Sequence, residues 1–350
     1  MSAATLAARV MRWQREHGRH GLPWQGTRDP YRVWLSEVML QQTQVSTVLN
    51  YYARFLDRFP TVSALAAASL DDVLALWSGL GYYSRARNLH RCAVAVVEQH
   101  GGLFPASSQA LAELPGIGRS TAAAIAAFCF DERSAILDGN VKRVLTRALG
   151  FDGDLSLAAQ ERRLWDLAQD LLPSRDVAVY TQGLMDLGAT VCLRGQPRCE
   201  ACPLASLCVA RAQGRQKFYP VKTRRLRRGQ RENALLWLHS GNAWWLVQRP
   251  AVGVWAGLWS LPEYAATSEL ETLSQTWPGA GAWLPTVEHS LTHFDWTLHT
   301  LAWRWPTGPA AVPTALLSPA GRWVSAEAAQ TLALPAPLRR LFLNHADICG

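Results

Sequence analysis

The chain has 350 residues, of which 49% are hydrophobic and 18% are charged, and its formal net charge at pH 7 is +8. This composition excludes a disordered or fibrous chain, and the length predicts about two domains. The sequence holds no run of about 18 uncharged apolar residues, and arginines interrupt its first twenty residues. We therefore expect a cytoplasmic protein with neither a membrane span nor a secretory signal.

Positive charge is concentrated in the first two thirds of the chain. Residues 1–231 carry a net charge of +11 and residues 232–350 carry −3, while 11 of the 16 tryptophans follow residue 231. The segment from Arg211 to Arg231 has nine basic residues and no acidic one, and such a run resists packing into a core. We predict domains of residues 1–225, ending in a basic linker from about residue 211, and 226–350. The charge favours a polyanionic partner, nucleic acid first, with solubility alone as the other interpretation.

Apolar residues of the first part recur at helical spacing. Asp29 and Pro30 have the pattern of an N-cap followed by a proline in the first turn, and the apolar positions from Trp34 to Tyr52 fall on one face of a long helix. The same spacing predicts further helices near residues 63–77, 84–100, 107–113, 119–129, 140–149, 157–171 and 176–190. The sequence therefore predicts an all-α domain before the linker.

The pattern changes after the linker. Short segments rich in aromatic and β-branched residues, such as NALLWLHS, AWWLVQRP and THFDWTLHTLAWRW, alternate in part between apolar and polar positions. This pattern is typical of strands separated by turns. The sequence therefore predicts a small α+β domain at the C-terminal end.

Four cysteines with the spacing C-x6-C-x2-C-x5-C follow the predicted helices: Cys192, Cys199, Cys202 and Cys208. Four thiols so close together in a cytoplasmic chain favour a metal site over disulfides. Thiolates suit zinc as well as an iron–sulfur cluster, and the spacing does not choose between them. We predict a metal-binding loop of residues 192–208, with chance clustering as the alternative.

The segment LPGIGRSTAAAIAAF predicts a tight turn between two helices. Gly116 and Gly118 allow a close backbone approach, and the second helix begins near Ser120. Unpaired amides at a helix start favour an anion, which a DNA phosphate would supply. An ordinary helix–helix turn is the alternative.

Two carboxylates stand in unusual surroundings. Glu37 is flanked by Trp34, Val38 and Leu40, and Asp138 follows an apolar run just before a predicted helix. Both are candidate catalytic residues. The simpler interpretations are an N-cap for Asp138 and a solvated helix position for Glu37.

Four segments taken together resemble one family. SEVMLQQTQV, GLGYYSRARNLH, LPGIGRSTA with ILDGNVKRVL, and the cysteine loop are similar to the helix-hairpin-helix DNA glycosylases that carry an iron–sulfur cluster, and within them to adenine DNA glycosylases of the MutY type. The resemblance implies a mainly α fold of two helical subdomains plus a C-terminal α+β Nudix-like domain. It also implies a 4Fe-4S cluster on the four cysteines.

The same resemblance implies the activity. The substrate would be double-stranded DNA with adenine mispaired with 8-oxoguanine or guanine, and the reaction would be hydrolysis of the N-glycosidic bond of adenine in base-excision repair. We expect a monomer that is associated with the nucleoid and not with a membrane. The alternatives are an endonuclease III-like glycosylase/lyase for oxidised pyrimidines and a non-enzymatic iron–sulfur sensor of DNA damage.

The resemblance also assigns roles to residues at the reacting sugar and base. Glu37 matches the general acid that protonates adenine, and Asp138 matches the carboxylate that stabilises the cationic sugar. Asn140 and Ser120 would line the same site. Bifunctional relatives carry a lysine at the position of Ser120, so the serine predicts a glycosylase with little strand cleavage.

Other matching residues would bind DNA. Gln42 and Tyr82 match residues that fill the stack when adenine flips out, and Trp24 and Gln182 match positions of the adenine pocket. Ordinary packing is the alternative for the two aromatic residues. Gly116 and Gly118 of the hairpin and Lys142 would contact phosphates.

The C-terminal domain would read the opposite strand. LVQRPAVGVWAGLWSLPE resembles the opening of a Nudix module, but the acidic R-E-x-x-E-E signature of Nudix hydrolases is absent, so pyrophosphate hydrolysis is not expected. Thr292 and His293 match the family loop that recognises 8-oxoguanine. Leu291 stands where the family has an aromatic residue, and a plain β-turn is the alternative.

Overall fold

The computed structural model describes residues 3–224, 227–318 and 320–345. Contacts between Cα atoms divide the chain into two compact units. The helical unit combines Met1–Ala67 with Asn88–Arg225, and the sheet unit combines Ala68–Arg87 with Leu226–Gly350. Among the described residues, no helix is both long enough and apolar enough to cross a membrane.

The described residues of the helical unit form α-helices and short helical turns. The α-helices are α1 Ala3–His17, α2 Pro30–Leu40, α3 Val45–Arg58, α4 Val62–Ala67, α6 Ser84–His100, α7 Ser108–Leu111, α8 Arg119–Phe130, α9 Gly139–Leu149, α10 Ala158–Asp170, α11 Val177–Asp186 and α12 Val209–Ala212. One of these helices, α6, begins in the sheet unit, and its greater part belongs to the helical unit. A π-helical turn, Leu187–Val191, follows α11, and 3-10 turns cover Cys199–Ala201 and Gln216–Phe218. The prediction of a helical first part is confirmed.

Side-chain caps fix where the helices α2 and α9 begin. The Asp29 side chain accepts a hydrogen bond from the Tyr31 amide at the start of α2, and Asp138 accepts one from the Val141 amide at the start of α9. Such a cap contributes about 1 kcal/mol to helix stability. Behind these starts, one buried core joins α1, α8, α9 and α11 through residues such as Leu6, Ala124, Val141 and Leu184.

The prediction of one long helix from residue 30 to residue 52 is wrong. The helix α2 ends at Leu40, and α3 begins at Val45 after a polar turn of residues 41–44. Gln42 in this turn has φ +57°, a left-handed conformation that is rare for a residue with a side chain. The apolar period continues on both sides of the turn, so spacing alone did not reveal the break.

Two further helix predictions differ from the structure. The helix expected near residues 63–77 is two helices, because the Ser69 side chain accepts a hydrogen bond from the Asp72 amide and starts a second one. That second helix, α5 Leu70–Trp77, belongs to the sheet unit. The helix expected over residues 176–190 is α-helical only to Asp186 and then widens into the π-helical turn.

The sheet unit is built on a mixed sheet. Its strands are β1 Gly229–Ser240, β2 Ala243–Gln248, β3 Trp259–Ser260, β4 Glu263–Tyr264, β5 Ala280–Trp283, β6 Val287–Ser290, β7 Phe294–Arg304 and β8 Gly321–Ser325, and its later helices are α13 Thr267–Ser274, α14 Ala326–Thr331 and α15 Ala336–Asn344. The main path is β3-β2-β1-β7-β5, and β1 pairs with β7 in parallel, from Gly229 opposite Phe294 to His239 opposite Arg304. The predicted α+β class is confirmed.

Residues 68–87 are attached to this sheet unit by hydrogen bonds. The Asp71 carboxylate accepts from Gln248 Nε2 at 3.1 Å and from Trp259 Nε1 at 3.4 Å. The backbone oxygen of Leu334 accepts from the hydroxyls of Ser78 at 2.9 Å and Tyr83 at 3.3 Å. These side chains therefore hold a segment that is distant in sequence from the strands.

Candidate active site

The helical unit contains a cleft of about 2140 Å³. Its walls come from the loop before α2, from α2 and the turn after it, and from the starts of α8, α9 and α11. Seven of the residues singled out in the sequence line it: Trp24, Glu37, Gln42, Ser120, Asp138, Asn140 and Gln182. Residues far apart in sequence are thus brought together around one space.

Glu37 on α2 has a strongly perturbed carboxyl group. Burial raises its pKa to about 8, and the charge of Asp138 contributes in the same direction. Among the described residues, no hydrogen bond or ion pair holds this carboxyl. At neutral pH Glu37 therefore retains its proton, and the proton is available to a group that enters the cleft.

Asp138 caps α9, and several groups near its carboxyl favour the negatively charged form. Its Oδ1 accepts from the Val141 amide at 2.7 Å. Burial raises its pKa, whereas the amides of Val141 and Asn140 and the charges of Arg143 and Lys142 lower it. Burial is the largest of these effects, so the pKa of Asp138 is raised overall. Because Glu37 has none of these partners, Asp138 is the carboxyl of the pair that ionises first.

The glycine hairpin is tied to the Asp138 segment through Ser120. The Leu137 amide donates to Ser120 Oγ at 3.0 Å, one residue before Asp138. Gly116 has φ +77°, and a Cβ there would lie 2.5 Å from Asn88 Cβ, so only glycine fits. A Cβ at Gly118, the N-cap of α8, would meet no atom within 4 Å. The start of α8 is therefore open to a ligand.

Asn140 and Lys142 each have a charged side chain as a partner. Arg143 donates through Nη2 to Asn140 Oδ1 at 2.8 Å and to the Gly188 oxygen at 2.7 Å, which orients the Asn140 amide beside Asp138. Lys142 forms an ion pair with Glu161 through a short contact. A phosphate contact by Lys142 would compete with this pair.

Aromatic packing places Trp24 in the cleft wall. Its ring meets that of Tyr52 edge to face, with centroids 5.2 Å apart, and only its cleft side remains accessible. Gln42 is exposed in the left-handed turn after α2. The two residues thus offer a flat apolar surface and an exposed polar side chain to the same space.

The sequence analysis missed two residues behind Gln182. Asp186, one helical turn further along α11, is fully buried and accepts from Gln182 Nε2 at 2.9 Å. Arg19 donates to the same carboxylate through its backbone amide at 2.8 Å and through Nε at 2.7 Å. The available signal was an acidic residue within the apolar run of α11.

Three predicted DNA-binding residues lie in the sheet unit. Tyr82 has φ +48° and is 47% exposed, and the Arg85 guanidinium lies 5.5 Å from the centre of its ring. Thr292 and His293 are exposed in the turn between β6 and β7. The Arg228 side chain donates to the Leu291 oxygen at 3.0 Å, which holds the start of this turn.

The four predicted metal ligands lie in one loop after α11. Burial raises the pKa of the Cys202 thiol to about 12, and the charges of the other three cysteines act in the same direction. Arg147 Nη1 donates to Cys192 Sγ at 3.4 Å, and Gln216 Nε2 donates to Cys199 Sγ at 3.7 Å. In the described part of the chain, however, no group of three or more His, Cys, Asp or Glu side chains has a metal-ligating arrangement.

Comparisons with known proteins identify the family. A family model described as HhH-GPD superfamily base excision DNA repair protein matches residues 35–170, and a NUDIX domain model matches residues 233–344. The adenine DNA glycosylase of Buchnera aphidicola subsp. Acyrthosiphon pisum is 37% identical over 260 residues, which cover 74% of each chain. The chain belongs to the adenine DNA glycosylases of the MutY type.

A second relative supports the family, and a solved structure supports the helical fold. The adenine DNA glycosylase of Homo sapiens is 34% identical over 378 residues, which cover 90% of this chain and 68% of the human one. The structure of a thermostable thymine-DNA glycosylase is 27% identical, with a TM-score of 0.54, and covers 60% of this chain and 97% of the other. This adenine glycosylase therefore removes adenine in base-excision repair and has the predicted helix-hairpin-helix fold followed by a Nudix-like domain.

Proposed function

We propose that this adenine glycosylase excises adenine from mispairs with 8-oxoguanine and with guanine in double-stranded DNA, by hydrolysing the N-glycosidic bond. The observation that carries the proposal is the pair of carboxyl groups in one cleft, Glu37 without partners and Asp138 with several. Glu37 retains its proton at neutral pH, and Asp138 is the carboxyl that ionises first. Glycoside hydrolysis through a cationic sugar needs such a pair.

Protonation of the leaving base is the role of Glu37. With a pKa raised to about 8, its carboxyl donates a proton to the adenine ring as the bond from C1′ to nitrogen breaks. The electrons of that bond leave with the base, and the sugar becomes an oxocarbenium-like cation. Asp138 stabilises this cation electrostatically in a partly dehydrated site. Water then adds to C1′ and gives up one proton, which returns through solvent to the Glu37 carboxylate and leaves an abasic sugar.

The reaction stops at the abasic site. A lyase needs a free amine to form a Schiff base with the sugar, and the residue at the hairpin position is Ser120, whose hydroxyl accepts from the Leu137 amide. Lys142, the nearest amine in sequence to Asp138, is paired with Glu161. Both observations count against a glycosylase/lyase of the endonuclease III type.

DNA binding would use several exposed features. The start of α8, which is open at Gly118 and follows the tight turn at Gly116, would hold a phosphate by its backbone amides. Gln42 and Tyr82, both in left-handed turns, would fill the stack after adenine leaves it. Trp24 would pack against the extruded base in the cleft. The charge of residues 1–231, +11, supplies the attraction to the phosphate backbone.

The C-terminal domain, residues 226–350, would recognise the base opposite adenine. Thr292 and His293 offer a hydroxyl and an imidazole in an exposed turn, and the acidic signature of Nudix hydrolases is absent from the sequence. This domain would therefore bind 8-oxoguanine without hydrolysing it. The catalytic domain, residues 1–225, would act with it as a monomer.

A 4Fe-4S cluster would be held by the cysteine loop. Four soft thiolates within electrostatic range of one another match the preference of iron–sulfur clusters: Cys192, Cys199, Cys202 and Cys208. The hydrogen bonds from Arg147 and Gln216 to two of the sulfurs are of the kind that stabilises a thiolate. When bound, the cluster would fix the shape of this basic loop rather than take part in the hydrolysis.

Single-turnover base release tests the proposal. The substrates are duplexes with one A:8-oxoguanine pair, one A:G pair or one thymine glycol:A pair, and the products are analysed with and without alkali. We expect adenine loss from the first two, with strand breaks only after alkali. Breaks without alkali at thymine glycol would instead indicate the glycosylase/lyase, and tight binding without base release would indicate the sensor.

A further inference from the structure

We propose that Asp186, held by Arg19, fixes the orientation of the Gln182 amide and thereby makes the cleft select a base with an exocyclic amine. The inference rests on the proposed function, because it concerns the base that enters this cleft. Asp186 is a positioning residue here, since it acts through Gln182 and does not itself line the cleft.

The carboxylate of Asp186 is satisfied by three donors. Arg19 donates to Oδ2 through its backbone amide at 2.8 Å and to Oδ1 through Nε at 2.7 Å, and Gln182 Nε2 donates to Oδ1 at 2.9 Å. Asp186 is 0% exposed. All three contacts are donations to the carboxylate, which acts as an acceptor in each of them.

This chemistry determines which end of the Gln182 amide faces Asp186. The two ends of a glutamine amide have the same shape, and without a partner they can exchange by rotation. An acceptor-only carboxylate admits the nitrogen and repels the oxygen. The carbonyl oxygen Oε1 is therefore the end of the amide that is turned away from Asp186, and Gln182 is one of the residues that line the cleft.

Arg19 is itself held in position. Its backbone oxygen accepts from Gln25 Nε2 at 3.1 Å, and Gln25 Oε1 accepts from the Leu22 amide at 3.1 Å. These bonds fix the segment that also carries Trp24. The amide of Gln182 and the aromatic wall of the cleft are thus positioned by one connected set of hydrogen bonds.

An acceptor at this place distinguishes bases by the group at C6 of a purine. The amine of adenine can donate to Gln182 Oε1. Guanine and hypoxanthine carry a carbonyl oxygen at C6 instead, and this oxygen would face Oε1, so that two acceptors would meet without a hydrogen bond. An unpaired buried acceptor is costly, so a site built around one hydrogen bond discriminates strongly. An amide free to rotate would serve either base, and the selectivity would be lost.

The test compares Asp186→Asn with the wild-type protein and with Asp176→Asn. Asp176 precedes the same helix and pairs with Arg15 at the surface, so its variant carries the same change outside the set of bonds. Single-turnover release is measured for adenine, hypoxanthine and unsubstituted purine, each opposite guanine. An asparagine has both a donor and an acceptor and no longer dictates the orientation of Gln182.

We expect wild-type protein and Asp176→Asn to prefer adenine over hypoxanthine, and Asp186→Asn to lose about 10-fold or more of this preference. A preference that Asp186→Asn retains in full would overturn the inference. Wild-type protein that releases no adenine opposite guanine would overturn the proposed function instead, so the two failures are distinguishable.

A second measurement on unchanged protein covers the case that Asp186→Asn does not fold. With glutamine side chains labelled with ¹⁵N, the Gln182 amide should show one proton shifted downfield and slow to exchange, as a hydrogen bond to a carboxylate requires. Gln182→Leu assigns the signal. Two equivalent, rapidly exchanging protons would contradict the inference.

Discussion

Burial and the charge of Asp138 raise the pKa of Glu37 to about 8, so that Asp138 loses its proton before Glu37 does. Four groups stabilise the ionised form of Asp138: the amides of Val141 and Asn140 and the side chains of Arg143 and Lys142. Donors and cations around Asp138 favour its ionised form, whereas burial and the charge of Asp138 favour the protonated form of Glu37. Acid and carboxylate are assigned by their surroundings.

The first prediction concerns the pH dependence of base release. Glu37 donates a proton only while it is protonated, so the single-turnover rate should fall as pH rises through about 8. The rate should also fall at low pH as Asp138 becomes protonated. The measurement is the rate of adenine release from pH 5 to pH 10, with binding measured separately. A rate that keeps rising above pH 9 would contradict the assignment of Glu37.

The second prediction is that Glu37→Gln stabilises the fold at high pH. The pKa of Glu37 is about 8 in the folded chain, against 4.5 for an ordinary glutamate. The folded state therefore retains a proton that the unfolded state has lost, and stability falls as pH rises from the lower pKa to the higher one. Glutamine does not ionise, so Glu37→Gln does not lose stability in this way as the pH rises. We compare the free energy of unfolding of Glu37→Gln with that of wild type at each pH. We expect this difference to be on the order of 2–4 kcal/mol more favourable to the variant at pH 9 than at pH 4.

Urea unfolding at both pH values measures this difference. Asp166→Asn, a change on α10 outside the cleft, is the control for the loss of one negative charge. An equal gain in both variants would mean that general charge repulsion, and not burial of Glu37, causes the effect.

The third prediction separates the two roles of Asp138. Asparagine caps helices about as well as aspartate, and burial raises the pKa of Asp138, so the neutral side chain of Asp138→Asn should not lower the stability of the fold. It removes the charge that stabilises the cationic sugar, and the rate of adenine release should fall by about 100-fold or more. Thermal unfolding and single-turnover rates are measured together. An unchanged rate would leave Asp138 as a helix cap alone.

Sequence patterns predicted the features of the structure that depend on neighbouring residues. The caps at Asp29 and Asp138 and the hairpin at Gly116 follow from residue types next to one another. The break at Gln42 was missed because the apolar period continues across it, and Asp186 was missed because its partner Arg19 is 167 residues away. The attachment of residues 68–87 to the strands also depends on long-range hydrogen bonds, which a periodicity in sequence does not contain.

The fourth prediction concerns the bond between Ser120 and Leu137. In Ser120→Ala the buried amide of Leu137 loses its acceptor, which costs about 1–3 kcal/mol. The segment that ends in Asp138 is then less well fixed, so the rate should fall as well. Ser120→Thr keeps a hydroxyl and should restore both quantities. Loss of activity in Ser120→Thr to the same extent as in Ser120→Ala would mean that this hydrogen bond is not the cause.

The fifth prediction tests recognition of 8-oxoguanine in the C-terminal domain. Thr292→Ala removes the exposed hydroxyl of the turn between β6 and β7, and we expect the preference for A:8-oxoguanine over A:G to fall by about 10-fold while A:G is still processed. Thr307→Ala, an exposed threonine in the turn after β7, is the control. An equal preference in both variants would show that Thr292 does not read the lesion.

A point variant is a better test of lesion reading than truncation after residue 225. Truncation would also remove Gln248, Trp259 and Leu334, which hold residues 68–87 through Asp71, Ser78 and Tyr83. Tyr82 lies within this segment, so a truncated protein would change two DNA-binding elements at once. Hydrogen exchange of the full and truncated chains measures the effect: amides of α5 should lose protection on truncation, and those of α9 should not. Equal protection of α5 in both chains would mean that residues 68–87 are stable without the sheet, and truncation would then report on the lesion-reading domain alone.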